Sequence, residues 1–171
     1  LGISRLECFE DFAKHGVASL DSTAPLKQAF MDDKNNYHTH DELFTAVRIP
    51  QVDGNPQLKR NILAGRIDLS VALGMERACM SSVVEFARGN GSLDAAINEL
   101  RTYESLWSGK KDDSERYRRT LASRPWEKCP CSICRQLGVH VVIFRGADRN
   151  RRRGFHNLFV LHQKLSKLRP N

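Results

Sequence analysis

The chain has 171 residues, 40% of them hydrophobic and 27% charged. That is enough for one domain with its own core, and it is unlike a disordered or fibrous composition. No apolar run approaches the roughly 20 residues that a membrane span needs, and no signal-peptide pattern is seen. The formal net charge of +7 favours a polyanionic partner, and five cysteines, three of them clustered, argue for a bound metal in a reducing cytoplasm over a disulfide framework.

Leu1 to Ile3 reads as the end of a buried strand, so the expectation is a chain whose upstream sequence is missing. Ser4 is placed to cap a helix over 5–15, whose apolar face would be Leu6, Phe9, Phe12 and Ala13, with Gly16 at its C-cap. Residues 17–20 then read as a short strand ending at Asp21. Strand, helix and strand on short connections are the grammar of a parallel β/α sheet or barrel. Residues 22–41 are polar and read as a loop with one short helix, and 49–56 as a second loop. A short helix is expected over 57–64, closed by Gly65. Asp68 caps a longer one running to Arg88, and Gly89, Asn90 and Gly91 break it. Ser92 caps the next helix, where Leu93, Ala96, Ile97, Leu100 and Trp107 share a face. A charged loop over 108–114 leads to a helix over 115–121, which Pro125 ends. The continuous apolar run 139–144 predicts a buried strand, and 156–168 a helix with Leu158, Leu161, Leu165 and Leu168 on one side.

The sharpest motif is Cys129-Pro130-Cys131-Ser132-Ile133-Cys134: three thiols within six residues. Tetrahedral zinc takes four thiolate or imidazole ligands, and a turn of this kind supplies three of them. His156, at the start of a helix, is the preferred fourth. His140 is the alternative, although its place in the apolar strand suits a core residue. A closed site of three cysteines and one histidine leaves no open position for water, so the expected Zn2+ is structural.

Asp21 has two readings. Pattern alone favours an N-cap or turn aspartate, whereas an aspartate at the end of a parallel strand sits where barrel enzymes keep their chemistry. Arg145, Arg149, Arg151, Arg152 and Arg153 fall within nine residues. They are either a solvated basic loop or planar donor forks aimed at phosphate, which position a nucleic acid without reading its sequence. Cys8 and Cys79 read as core residues and Trp107 and Trp126 as packing; His38 and His40 receive no role.

With these parts in place, the chain resembles the C-terminal portion of the tRNA-guanine transglycosylase superfamily. Residues 1–21 look like the family's late strand–helix–strand unit ending in its nucleophilic aspartate, with Pro25 in place and Lys27 standing where the tRNA enzymes carry arginine. The three cysteines with Gly154-Phe155-His156-Asn157-Leu158 look like its zinc site. The stretches 21–30, 47–56, 124–129 and 144–156 bring it nearer to the DpdA group, which inserts 7-deazaguanine bases into DNA. The resemblance implies an α/β fold: the last part of a (β/α)8 TIM barrel with a helical, zinc-binding insertion. Residues 1–35 would be late barrel units carrying the nucleophile, 36–126 a mainly helical insert, and 127–171 the zinc segment and last helix. It implies exchange of guanine for a 7-deazaguanine base through a covalent intermediate on Asp21. The acid/base aspartate and the base-binding residues would lie upstream, and Lys27 with the five arginines would contact nucleic acid. DNA is the expected partner and tRNA the alternative, with a further copy or a partner subunit allowed. A zinc-stabilised nucleic-acid-binding subunit without chemistry is the competing reading, in which Asp21 is an ordinary turn residue.

Overall fold

The computed structural model describes residues 8–17, 22–109 and 112–167. The expected strands over 1–3 and 17–20 lie almost wholly outside that range, and Asp21 lies outside it. Val17, the one described residue of the second strand, is not in a strand.

Helix α1 (Phe9–Lys14) is shorter than the sequence suggested, and Gly16 follows it at φ 76°, a conformation that favours glycine. Helix α2 (Ala24–Met31) carries Pro25 in its first turn, where the missing N–H costs nothing. A small antiparallel hairpin follows, β1 (Tyr37–His38) with β2 (Leu43–Phe44), and then β3 (Val47–Arg48).

The helical middle of the molecule follows its sequence signals closely. In α3 (Pro56–Leu63) the Asn55 side chain accepts from the N–H groups of Gln57 and Leu58. Asp68 does the same for Ser70 and Val71 at the start of α4 (Leu69–Arg88), and Gly89 closes that helix at φ 84°. Ser92 caps α5 (Leu93–Ser105) through Ala95 N–H at 3.1 Å. Ala72, Glu76, Cys79 and Val83 form the buried face of α4, and Ala96, Ile97, Leu100 and Tyr103 that of α5; the two helices pack on each other along these faces. Helix α6 (Ser114–Ser123) ends at Arg124, whose φ of 45° turns the chain sharply into α7 (Pro125–Lys128). Then come α8 (Ser132–Leu137), β4 (Ile143–Phe144) and the long α9 (Gly146–Lys167).

Two expectations are corrected. Val139, Val141, Val142 and Ile143 of the apolar run 139–144 are buried as foreseen, but most of the run is a 3-10 turn, Gly138–Val142. Only Ile143 and Phe144 extend, pairing in parallel with Val47 and Arg48. A short run buried on every side carries no period, so strand and tight helix cannot be told apart from it. The arginine run is not a loop. From Arg149 onward it forms the first turns of α9, which begins ten residues earlier than expected, and Arg145 lies directly before that helix. Arginine is a good helix former, and Arg152 pairs with Asp148 one turn earlier at 3.1 Å.

The face that α9 buries is also not the leucine stripe. Leu161 is buried but Leu158 and Leu165 are only partly so, and the rest of the buried face is mostly polar: Asn150, Arg153, Gly154, His156 and Asn157. Helix α2 lies along it. Gly154 makes this approach possible, because a Cβ there would stand 2.6 Å from Leu26 Cδ1. Among the described residues the strands are two residues long, and β3–β4 is the parallel pair. The α/β expectation therefore holds in a coarser form, as a helix-rich fold with short strands. No described helix is long and apolar enough to cross a membrane.

Candidate metal centre

Two short helices and one long one bring the cysteines and His156 together. Cys129 ends α7. Cys131 is the N-cap of α8, its sulfur accepting from Cys134 N–H at 3.2 Å, and Cys134 sits in that helix's first turn. His156 comes in from α9. Its Nδ1 lies 3.5 Å from the sulfur of Cys129, 3.5 Å from that of Cys131 and 3.3 Å from that of Cys134. All four ligand atoms lie within 4.8 Å of one another. Zinc bonds of about 2.3 Å to sulfur and about 2.0 Å to nitrogen, at tetrahedral angles, put such a nitrogen about 3.5 Å from each sulfur. The donor set and its spacing therefore fit a closed tetrahedral zinc site.

The surroundings decide which imidazole nitrogen faces the sulfurs. His156 Nε2 is 2.7 Å from the carbonyl oxygen of His38, and a carbonyl only accepts, so Nε2 carries the proton and donates it. The neutral ring then offers the lone pair of Nδ1 to a metal. Tyr37 holds the ring in plane: its own ring stacks on the imidazole at 4.1 Å between centroids and 11° between planes. The Tyr37 hydroxyl is 3.3 Å from the sulfur of Cys134. Burial first, and the neighbouring Cys134 charge second, push the Tyr37 phenol well above its ordinary range, so it stays protonated and donates to that sulfur.

Cys129, Cys134 and His156 are linked through shared protons. The Cys129 thiol is held down to about 4, first by a hydrogen bond from Cys134 and also by His156. Cys134, the donor in that bond and itself buried, is pushed up. Burial lowers the His156 pKa, but hydrogen bonds to Cys129 and Cys131 outweigh it and leave it at about 9. A divalent cation at the centre replaces these shared protons. Cys129 is the ligand left partly exposed; a cleft of about 410 Å³ lined by His38, His40, Cys129 and Pro130 opens beside it.

His140, the alternative ligand, takes no part. It is half-buried away from the cluster, and burial lowers its pKa with Arg149 and Arg88 adding to the effect. Cys79 is a core residue whose thiol donates to Glu99 O at 3.1 Å, and Trp126 is buried. Cys8 is half-buried.

The five arginines divide by the direction each faces. Arg145 pairs with Glu76 and donates to Ile49 O at 3.3 Å. Arg149 is half-buried, with Met80 Sδ at 3.9 Å. Arg153 is fully buried: its guanidinium donates to Ala29 O at 2.6 and 3.2 Å, Val141 O at 3.3 Å, Ile143 O at 3.2 Å and Asn150 Oδ1 at 2.7 Å. The expectation that Arg153 contacts phosphate is corrected, because its donors are spent inside. Arg151 and Arg152 are exposed on α9 and Lys27 is exposed on α2.

Sequence reasoning missed Tyr37, the carbonyl of His38, and the part played by Asn157. The Asn157 Oδ1 accepts from His38 N–H at 3.0 Å, and its Nδ2 donates to Pro25 O at 3.1 Å and Asn36 O at 3.2 Å. The one available signal was adjacency: a polar amide directly after the metal histidine, on a helix whose neighbours are buried.

No family model matches the chain. A curated protein from Salmonella montevideo, named DNA-guanine transglycosylase, is 51% identical to it over 169 residues, which is 96% of this chain. This chain is homologous to a DNA-guanine transglycosylase. The likeness read from the sequence, to the guanine transglycosylase superfamily, is borne out. The chain spans 41% of the length of that relative.

Proposed function

We propose that this chain is part of an enzyme that exchanges guanine in DNA for a 7-deazaguanine base, with Asp21 as nucleophile. The observation that carries the reading is the 51% identity, over nearly the whole chain, to a protein bearing the name DNA-guanine transglycosylase. The metal centre supports it, since its three cysteines and its histidine are the residues on which the superfamily resemblance rests.

In this reading residues 1–35 are late units of a (β/α)8 barrel, 36–126 a mainly helical insert, and 127–171 the zinc segment with its helix. The target base leaves the duplex stack, at a cost of a few kcal/mol. The Asp21 carboxylate attacks C1′ of the nucleotide as the bond to guanine breaks, and guanine departs with a proton supplied by an upstream acid. The resulting glycosyl ester is attacked by the incoming 7-deazaguanine, which loses a proton and displaces the carboxylate. Two displacements retain configuration, as in retaining glycosidases. Cys129, Cys131, Cys134 and His156 hold the zinc, which supplies a structural cross-link with no open position for water. Lys27, Arg151 and Arg152 meet backbone phosphates. The setting is the cytoplasm, where thiols stay reduced.

Mass spectrometry of nucleosides from DNA and from tRNA, in cells with and without the complete gene, tests this. A 7-deazaguanine nucleoside in DNA, lost on deletion, is the expected result. The same base in tRNA alone moves the substrate to tRNA. Finding it in neither, with precursor base supplied, leaves a binding subunit. In the full-length protein Asp21→Asn abolishes exchange and leaves DNA binding largely intact; turnover by that variant would remove Asp21 from the mechanism.

A further inference from the structure

We propose that Asn157 is a positioning residue: it ties the segment running out of Asp21 to the metal-bearing helix, so that the metal centre sets where the nucleophile's end of that segment is held. The inference rests on Asp21 as the nucleophile. It adds a named connection between that residue and a metal that does not touch the reaction.

Asn157 is fully buried and follows His156 directly on α9. A single amide serves three backbone groups on the other side of the contact. Its oxygen takes the N–H of His38, the residue whose carbonyl receives the Nε2 proton of His156. Its nitrogen gives to the carbonyls of Pro25 and Asn36. These partners bracket the stretch 25–38, binding α2 at one end and β1 at the other. Pro25 is four residues after Asp21 in sequence, and within 22–25 the Ser22 hydroxyl accepts from Ala24 N–H at 3.2 Å.

An apolar residue of the same volume fills the space equally well but leaves an N–H and two carbonyls without this partner. Only an amide offers an acceptor on one side and two donors on the other. Asparagine is therefore chosen by the backbone it bridges. A displacement of about 1 Å at a reacting group costs as much as 100-fold in rate, so a tie of this kind is worth most in the rate of the chemical step.

Asn157→Asp separates the two halves of the tie. The carboxylate still accepts from His38 N–H, on the metal side, but faces the carbonyls of Pro25 and Asn36 with no proton to give. In the full-length protein we expect bound zinc and the cobalt-substituted charge-transfer spectrum to be unchanged. Amide hydrogen exchange speeds up across 22–36, and kcat for base exchange falls about 10–100-fold with KM for DNA little altered. Unchanged exchange protection across 22–36 would overturn the proposal, and so would loss of the metal spectrum together with activity, which makes Asn157 only a part of the metal site. Should Asn157→Asp fail to fold, stripping the metal from the wild-type protein gives the second reading: faster amide exchange across 24–38 supports the tie, and unchanged exchange refutes it. If Asp21→Asn still turns over, the nucleophile assignment fails, but the hydrogen-exchange result still decides the tie on its own.

Discussion

Arg153→Lys separates the two readings of the arginine run. Lysine keeps the charge, so a phosphate contact survives the change in good part, but an internal brace does not. The guanidinium reaches four acceptors, the carbonyls of Ala29, Val141 and Ile143 and the Asn150 side chain, and its Cζ lies 4.9 Å from the Phe144 ring centroid. An ammonium has three donors radiating from one point, so at least one acceptor loses its partner, and the fork that spans Ala29 and Ile143 is lost. One buried acceptor left unmade costs about 1–3 kcal/mol, and the lost stacking on the ring adds roughly 1 kcal/mol more. We expect a destabilisation of about 2–4 kcal/mol, or about 4–16 °C in Tm for a chain of this size. Denaturant titration measures it, alongside DNA binding at several salt concentrations. Arg152→Ala is the contrast: a change within about 0.5 kcal/mol in stability, but weaker DNA binding at every sequence and a salt slope shallower by about 1. If Arg153→Lys leaves stability within that same margin and instead makes DNA binding less salt-dependent, the inward placement of Arg153 is wrong.

Three further outcomes follow from the same geometry. Cys131→Ser removes a metal ligand while leaving a side chain that can still cap α8, so zinc stoichiometry falls and stability drops by several kcal/mol through the metal alone; a zinc-free variant as stable as the parent would refute the structural role. Gly154→Ala forces a methyl against Leu26, whose carbonyl and Cα backbone atoms also stand within 3.2 and 3.5 Å of the new carbon. Overpacking of this kind costs about 1–3 kcal/mol, readable as a shift in the denaturation midpoint, and a neutral or stabilising result would show that α2 and α9 are not in contact there. His38 is held down to about 4 by burial, against about 6.5 when exposed. The unfolded chain therefore binds the extra proton first on acidification. Stability is full above about 6.5 and is lost as pH falls towards 4, by up to about 3 kcal/mol. His38→Gln, measured beside the parent across that interval, flattens the dependence; parallel curves would show that another group is responsible.

The helical middle of the chain was legible because its signals are local. Asp68, Gly89 and Ser92 act on backbone within a turn of themselves, and the faces of α4 and α5 carry a clear helical period. The metal ligands were legible for a related reason: three thiols at this spacing have few other uses. What could not be read was whatever depends on a partner far along the chain. The arginine run looks uniform in sequence, yet the i, i+4 spacing of Arg149 and Arg153 turns both towards the protein while Arg151 and Arg152 face out. The run could be sorted only once it was known to be helical and to lie under α2.

The same reasoning explains why the buried face of α9 is polar. A leucine stripe would bury α9 against any apolar surface, and nothing in it would fix how far α2 slides along the helix. Carbonyls at Pro25, Ala29 and Asn36, each met by a donor from Asn157 or Arg153, admit one register only, because a shift by one residue strands every one of them. Gly154 sets the depth of the approach and His156 its end, through the His38 carbonyl. Such a contact gains less from burial than an apolar one of equal area, and charge burial at Arg153 costs it more. What it supplies instead is placement. That is the property needed of a contact whose far end lies a few residues from Asp21 and whose near end is a metal ligand, and it accounts for the buried Arg153, Gly154, His156 and Asn157 in a helix that could otherwise have been packed with leucine.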